Sequence, residues 1–299
     1  MVKVYSMNKK LNGFEVYFEI ERLLKSGQPG AVIRLGDGEG ALIGFPDITT
    51  SSHCDNFMKI WFGRKDIADE TKMWMGEQIR NAIKVADIVG VPREKQIQKH
   101  PLYEAVPRAL SKYSLLGENA YLADAALHRQ LQFALFYRKL LSNKDFVGVI
   151  SSRDVTEKLK QVFNIRHIDH YRIMGESKFA GEETLPHYPD GFNKIKETLN
   201  VPYKGALFLV GAGGLGKIYC QWIKEKGGFA LDIGSIFDAW AHVKSRLVHP
   251  CHQLERYQET PIISFEQAVE RYNQLCENFS MDTGRISLDD FPQHIHESW

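Results

Sequence analysis

Asp37 and Glu39 stand two residues apart in the run Arg34-Leu35-Gly36-Asp37-Gly38-Glu39-Gly40. In an extended segment such side chains point the same way, so both carboxylates converge on one cation. Hard cations such as Mg²⁺ and Mn²⁺ take carboxylate oxygens together with phosphate oxygens. Gly38 between the acids leaves the backbone open to a ligand, and Gly36 ends the apolar run before them. Arg34 sits inside that run, where burial without an anionic partner is costly. The same tripeptide also reads as a plain turn, because Asp-Gly is a common turn pair and Glu39 can simply be solvated.

A second candidate lies late in the chain. Gly211, Gly213 and Gly216 give GxGxxG after the apolar run 206–210. Asp232 closes the next apolar run, about where a dinucleotide site places its ribose-binding acid. The residues also half-fit a P-loop, but Ile218 stands where the Mg²⁺-binding hydroxyl belongs. A third reading follows from Gly211-Ala212-Gly213-Gly214-Leu215-Gly216, which resembles the nucleotide loop of ubiquitin-activating-type adenylating enzymes. Those carry paired cysteines that this chain lacks. All three share one physical statement: backbone N–H groups at a helix N-terminus face an anion, with Lys217 adding a positive charge. The alternative is a tight glycine turn needed only for helix–sheet packing.

Asp124 and His128 are four apart in a stretch with helical spacing, so they are expected to share a helix face. A histidine beside a carboxylate can act as general base toward an acceptor hydroxyl; a surface ion pair is the simpler reading. Ser152 and Arg153 follow the apolar run 146–150. Arg153 can clamp a phosphate there, or Ser152 can cap a helix. Asp238 and Trp240 can line a sugar pocket, although a tryptophan at helical spacing is more often core.

These groups need a scaffold. Helical spacing predicts helices over 14–25, 71–85, 101–112, 123–141, 155–163, 191–199 and 235–243, and a turn plus helix over 211–226. Short apolar runs predict strands over 31–33, 87–91, 146–150, 167–173, 206–210 and 229–233. Residues 44–56 and 175–189 read as loops. Such alternation predicts an α/β fold: a Rossmann-like, mostly parallel sheet with helices on both faces. The catalytic domain is expected over 1–245. Residues 246–299 form a helical or irregular C-terminal appendage packed on it, with 265–277 its clearest helix.

Net charge is +1, so no broad field favours nucleic acid. The four cysteines form no CxxC pair, which points away from a zinc knuckle or a disulfide framework. No apolar run approaches the roughly 20 residues of a membrane span, and the first residues lack a signal-peptide core. A cytoplasmic enzyme is the expectation.

Arg-Leu-Gly-Asp-Gly-Glu at 34–39, taken with the glycine turn at 211–217 and Asp-Ile-Gly at 232–234, resembles the GT-D fold glycosyltransferases. That bacterial family was first defined as a domain of unknown function. The likeness spans 14–240. It implies a nucleotide-sugar donor, such as a UDP-sugar, and a divalent metal, commonly Mn²⁺, with Mg²⁺ the other candidate. Asp37 and Glu39 match the family's metal-binding Asp-x-Glu pair. Arg34, Gly36, Gly38, Ser152, Arg153, Gly211, Gly213, Gly214, Gly216, Lys217 and Asp232 would surround the donor, and Asp124 with His128 would serve catalysis. Gly40 departs from the family, which often has an aromatic residue there. The expected reaction moves a sugar to a glycan or glycoprotein acceptor in surface-polysaccharide or glycoprotein assembly. Two rivals remain open: an NAD(P)-dependent oxidoreductase built on GxGxxG, and a non-catalytic nucleotide-binding module.

Overall fold

The structure is a computed structural model that describes residues 8–174, 186–244, 253–279 and 285–299. Its strands are β1 (Gly30–Arg34), β2 (Ile88–Val91), β3 (Tyr121–Asp124), β4 (Phe146–Ser151), β5 (His167–Arg172), β6 (Leu207–Gly211) and β7 (Phe229–Asp232). All pair in parallel, in the order β3-β2-β1-β7-β6-β4-β5. Helix α1 (Gly13–Lys25) precedes the sheet. Between β1 and β2 run α2 (Asp37–Gly44), α3 (Ser51–Phe62) and α4 (Asp69–Val85); α5 (Glu94–Ile97) and α6 (Pro101–Lys112) lead to β3. Then α7 (Leu127–Phe133) and α8 (Phe136–Leu141) lead to β4, α9 (Thr156–Phe163) to β5, α10 (Asp190–Thr198) to β6 and α11 (Leu215–Glu225) to β7. After β7 come α12 (Ile236–Trp240), α13 (Arg256–Glu259), α14 (Phe265–Phe279) and α15 (Gln293–Ser298).

Successive strand residues point to opposite faces, and here each face has its own core. Val32, Val147, Leu209 and Leu231 pack with α1, α7, α8 and α14. Ile33, Val89, Phe208, Val210 and Ala230 pack with α2, α3, α4, α6 and α11. A parallel sheet covered on both sides needs apolar residues at both parities, which is why its strands read as continuous runs. The edge strand β5 is the exception: its residues are half-buried or exposed and polar. Helix α1 starts at a reciprocal cap. Asn12 Oδ1 accepts from Phe14 N and Glu15 N, and Glu15 Oε2 accepts from Asn12 N.

The expected α/β architecture, with its helical C-terminal region, is the observed one. Three local expectations need correction. Residues 123–141 are not one helix, because β3 runs to Asp124 and α7 and α8 part at Leu135, which adopts φ +61°. The loop expected over 44–56 becomes helix from Ser51 onward. Asp37 and Glu39 are not extended, because they form the first turn of α2. Most of the loop expected over 175–189 lies outside the described residues. At the other end of the chain, Leu254, Tyr257, Phe265, Tyr272 and Ile286 join the α1 core.

Candidate functional site

Register aligns the strand ends. Val91 pairs with Asp124, Arg34 with Gly90, Val210 with Asp232, and Ser151 with Gly211. The residues at these carboxyl ends border one cleft of about 260 Å³, and all seven strands contribute to it. Arg34 ends β1 and Asp37 follows it; Arg93 follows β2, His128 β3, Ser152 β4, Met174 β5, Gly213 β6 and Ser235 β7. Open α/β sheets hold ligands at this edge.

A chain of alternating charges forms the floor. Arg34 Nη2 lies 3.0 Å from Asp232 Oδ1, and Arg34 Nε donates to the Asp232 carbonyl at 3.0 Å. Lys217 Nζ lies 3.0 Å from Asp232 Oδ2 and 2.8 Å from Glu39 Oε1. It also donates to the Gly213 carbonyl at 3.0 Å. Lys217 is 2% exposed, Asp232 1% and Glu39 9%, so these charges compensate one another inside the protein. Burial drives the Lys217 ammonium toward neutrality, but the carboxylates of Asp232 and Glu39 outweigh it and its pKa is raised. Burial likewise raises Asp232, and Arg34 with Lys217 reverse the shift, leaving it lowered. The cost of burying Arg34 is thus offset by Asp232. Lys217 borders the cleft, but its ammonium is held by Glu39, Asp232 and the Gly213 carbonyl.

The two acids of the Asp-Gly-Glu run have different surroundings. Glu39 also borders the cleft, but both its oxygens are engaged: Oε1 meets Lys217, and Oε2 accepts from Gly36 N at 2.8 Å, capping α2. Asp37 is exposed and borders the cleft, with Oδ1 accepting from Gly38 N at 2.9 Å. Among the described residues no group of three or more His, Cys, Asp or Glu could hold a metal ion. A cation that draws most of its oxygens from phosphates and water needs only one or two carboxylates, and Asp37 meets that requirement. Gly38 stands in open space, with nothing within 4 Å of a Cβ built on it.

The glycine turn is shaped by packing. Gly213 adopts φ +49°, and a Cβ there would lie 2.7 Å from the Trp61 ring. A Cβ on Gly214 would lie 2.1 Å from Phe57, and one on Gly211 2.5 Å from Phe237. Gly216 is less crowded, with Val210 at 3.2 Å. Helix α3 therefore presses two aromatic rings onto the turn, while Gly211 and Gly213 still border the cleft. Gly36 borders it from the opposite helix, α2.

Asp124 and His128 do not share a helix. Asp124 ends β3, where Oδ1 accepts from Ala126 N at 2.7 Å and Oδ2 lies 3.8 Å from Arg93 Nε. His128, on α7, borders the cleft with Nδ1 3.0 Å from Arg34 Nη1. The same Nη1 lies 3.3 Å from Nε2, and since an arginine N–H only donates, one of the two ring nitrogens accepts from it. Ser152 borders the cleft. Arg153 lies behind it, its Nε donating to Asp238 Oδ1 at 2.8 Å. Asp238 borders the cleft, whereas Trp240 is core and donates to Gln132 Oε1 at 3.0 Å. Arg93, Gln96, Tyr103, Arg129, Trp61, Met174 and Ser235 also line the cleft and were not expected from sequence. Arg93, two residues past β2, carries the one signal that a strand-end search could have used.

A family model for a GT-D fold-like domain matches residues 11–240. No curated protein and no solved structure matches the chain.

Proposed function

Because this chain belongs to the GT-D fold-like family, we propose that it is a metal-dependent glycosyltransferase. It would move a sugar from a nucleoside-diphosphate sugar to a glycan or glycoprotein acceptor, in the cytoplasm. The observation that carries this reading is the cleft itself: Asp37 and the N-termini of α2 and α11 border one space at the carboxyl edge of the sheet. Helix N-termini offer N–H groups and a favourable dipole to a diphosphate. Asp37, with the donor's own phosphate oxygens, would hold Mn²⁺ or Mg²⁺. Such a cation would neutralise charge on the departing diphosphate.

The chain's own residues have distinct parts in this reading. Asp232 keeps Arg34 and Lys217 in place, so the cleft floor needs no rearrangement when a donor arrives. Asp238 holds Arg153 behind the β4 end. His128, beside Arg34 and bordering the cleft, is the candidate base for the acceptor hydroxyl, which would displace Arg34 Nη1 from the unprotonated ring nitrogen. Both oxygens of Asp232 are engaged by cations, which counts against the dinucleotide reading that assigns it to a ribose.

The test is a thermal-shift panel of UDP, GDP, CMP and ADP sugars and NAD(P)H, with and without Mn²⁺. A ligand that binds only the folded state raises apparent stability by RT ln(1 + [L]/Kd). The expected result is a shift with a nucleoside-diphosphate sugar that grows with Mn²⁺, accompanied by release of the diphosphate. A shift with NADH and with no sugar nucleotide would replace the proposal by an oxidoreductase. Binding without turnover or metal dependence would leave a nucleotide-binding module.

A further inference from the structure

We infer that Glu39 acts as a positioning residue for Asp37 and is not itself a ligand of the cation. The inference rests on the metal-dependent reading above. Both Glu39 oxygens already have partners inside the protein: Lys217 Nζ at 2.8 Å and Gly36 N at 2.8 Å. Its side chain is 11% exposed, and the Lys217 side chain that it pairs with is 3% exposed. Moving Glu39 onto a cation would strip Lys217 of one of two carboxylates and leave an N–H at the start of α2 without its acceptor. The two acids are successive parts of one device. Glu39 closes the first turn back onto Gly36, and Asp37, inside that turn, is held at the cleft.

The position supports the assignment from the other side of the turn. A Cβ on Gly36 would lie 3.1 Å from Glu39 Oε2, so the glycine allows the carboxylate to close down on the backbone. The amide oxygen of glutamine can accept the same bond from Gly36 N. It cannot replace the negative charge that a metal ligand would need. Alanine removes both. Charge and hydrogen bond are thus separable at this one residue.

The experiment measures Mn²⁺ binding to the full chain by electron paramagnetic resonance in the presence of UDP, for wild type, Asp37→Asn, Glu39→Gln and Glu39→Ala. Loss of a supporting partner typically weakens metal affinity by roughly tenfold or more. Asp37→Asn is expected to raise the Mn²⁺ Kd by at least about tenfold, and Glu39→Ala by a similar factor. Glu39→Gln is expected to stay within about threefold of wild type, because the bond to Gly36 N is the part that matters. If Gln weakens Mn²⁺ binding as much as Ala does, Glu39 is a ligand and the inference is overturned. If neither change weakens it, Glu39 positions nothing and the inference is equally overturned. Should Glu39→Gln fail to fold, Glu39→Gln with Lys217→Gln removes one charge of each sign and is read in the same way. If wild type binds no Mn²⁺, the cation of the proposed function fails. UDP titration of the same variants then decides the inference: Gln like wild type and Ala weakened supports it, and any other pattern overturns it.

Discussion

Lys217 and Asp232 meet at 3.0 Å with both side chains almost sealed from solvent. Their charges belong to the folded state before any donor arrives. Lys217→Met should therefore destabilise the protein strongly. Removing one partner of a buried pair costs about 3–5 kcal/mol. Urea unfolding of the variant measures this. A midpoint equal to wild type would mean that the ammonium is a ligand contact and not part of the fold.

Gly234 offers a sharper test of the same floor. It adopts φ +48°, and a Cβ there would lie 2.0 Å from Arg34 Nη2. Gly234→Ala should push Arg34 off Asp232 and also strain the backbone. The combined loss should be at least about 1–3 kcal/mol, read as a lowered melting temperature. An unchanged melting temperature would show that Arg34 has room to move.

Gly38→Ala should behave in the opposite way. A Cβ there meets nothing within 4 Å and the residue is helical. Alanine in a helix gains up to about 1 kcal/mol over glycine. Folding should be unharmed or slightly strengthened. Donor affinity should fall if a diphosphate approaches the backbone at this point, and calorimetric titration with UDP reads that loss. Unchanged affinity would remove Gly38 from the donor site.

Acid sensitivity has an assignable source in His187. Met174 N donates to its Nδ1 at 3.2 Å, so Nε2 carries the proton and faces the Tyr219 hydroxyl at 2.7 Å. Burial pushes the His187 pKa down to about 4. The unfolded chain takes up a proton near pH 6.5, whereas the folded one resists until about 4. His187 therefore costs no stability above pH 6.5 and progressively more as pH falls, reaching roughly 3 kcal/mol at most. Urea midpoints at pH 7 and pH 4.5 should differ less in His187→Gln than in wild type. Equal differences would assign the acid sensitivity to other groups.

Strands such as those at 146–150 and 206–210 were legible because a doubly covered sheet needs uninterrupted apolar runs, whereas β3 was missed. The boundaries of α6 were legible from Pro101 at its start. The stretch 123–141 misled because its apolar residues keep helical spacing across a strand, a turn and two helices. The bond from Ala126 N to the Asp124 carboxylate marks the first break, and the left-handed Leu135 marks the second. Residues that border the cleft, such as Arg34, Asp37 and Gly213, were picked out by type, yet their partners were hidden. Lys217 and Glu39 are far apart in sequence, and only the pairing of β1 with β7, and of β7 with β6, brings α2 and α11 together. Arg129 went unseen because its place in α7 carries no local mark of the cleft, whereas Arg93 was within reach of a search for basic residues just past strand ends.

Gly40 has no contact with the cleft, yet it governs one wall of it. A Cβ at this position would lie 2.0 Å from the Leu102 carbonyl, so α2 and α6 touch backbone to backbone. Tyr103, the next residue on α6, borders the cleft. Any side chain at 40 would act as a wedge between the two helices and lift Tyr103 outward. A bulky residue there requires a wider spacing of α6. The aperture above Asp37 is therefore tuned by a spacer in the protein interior, out of reach of the sugar nucleotide whose admission it would control.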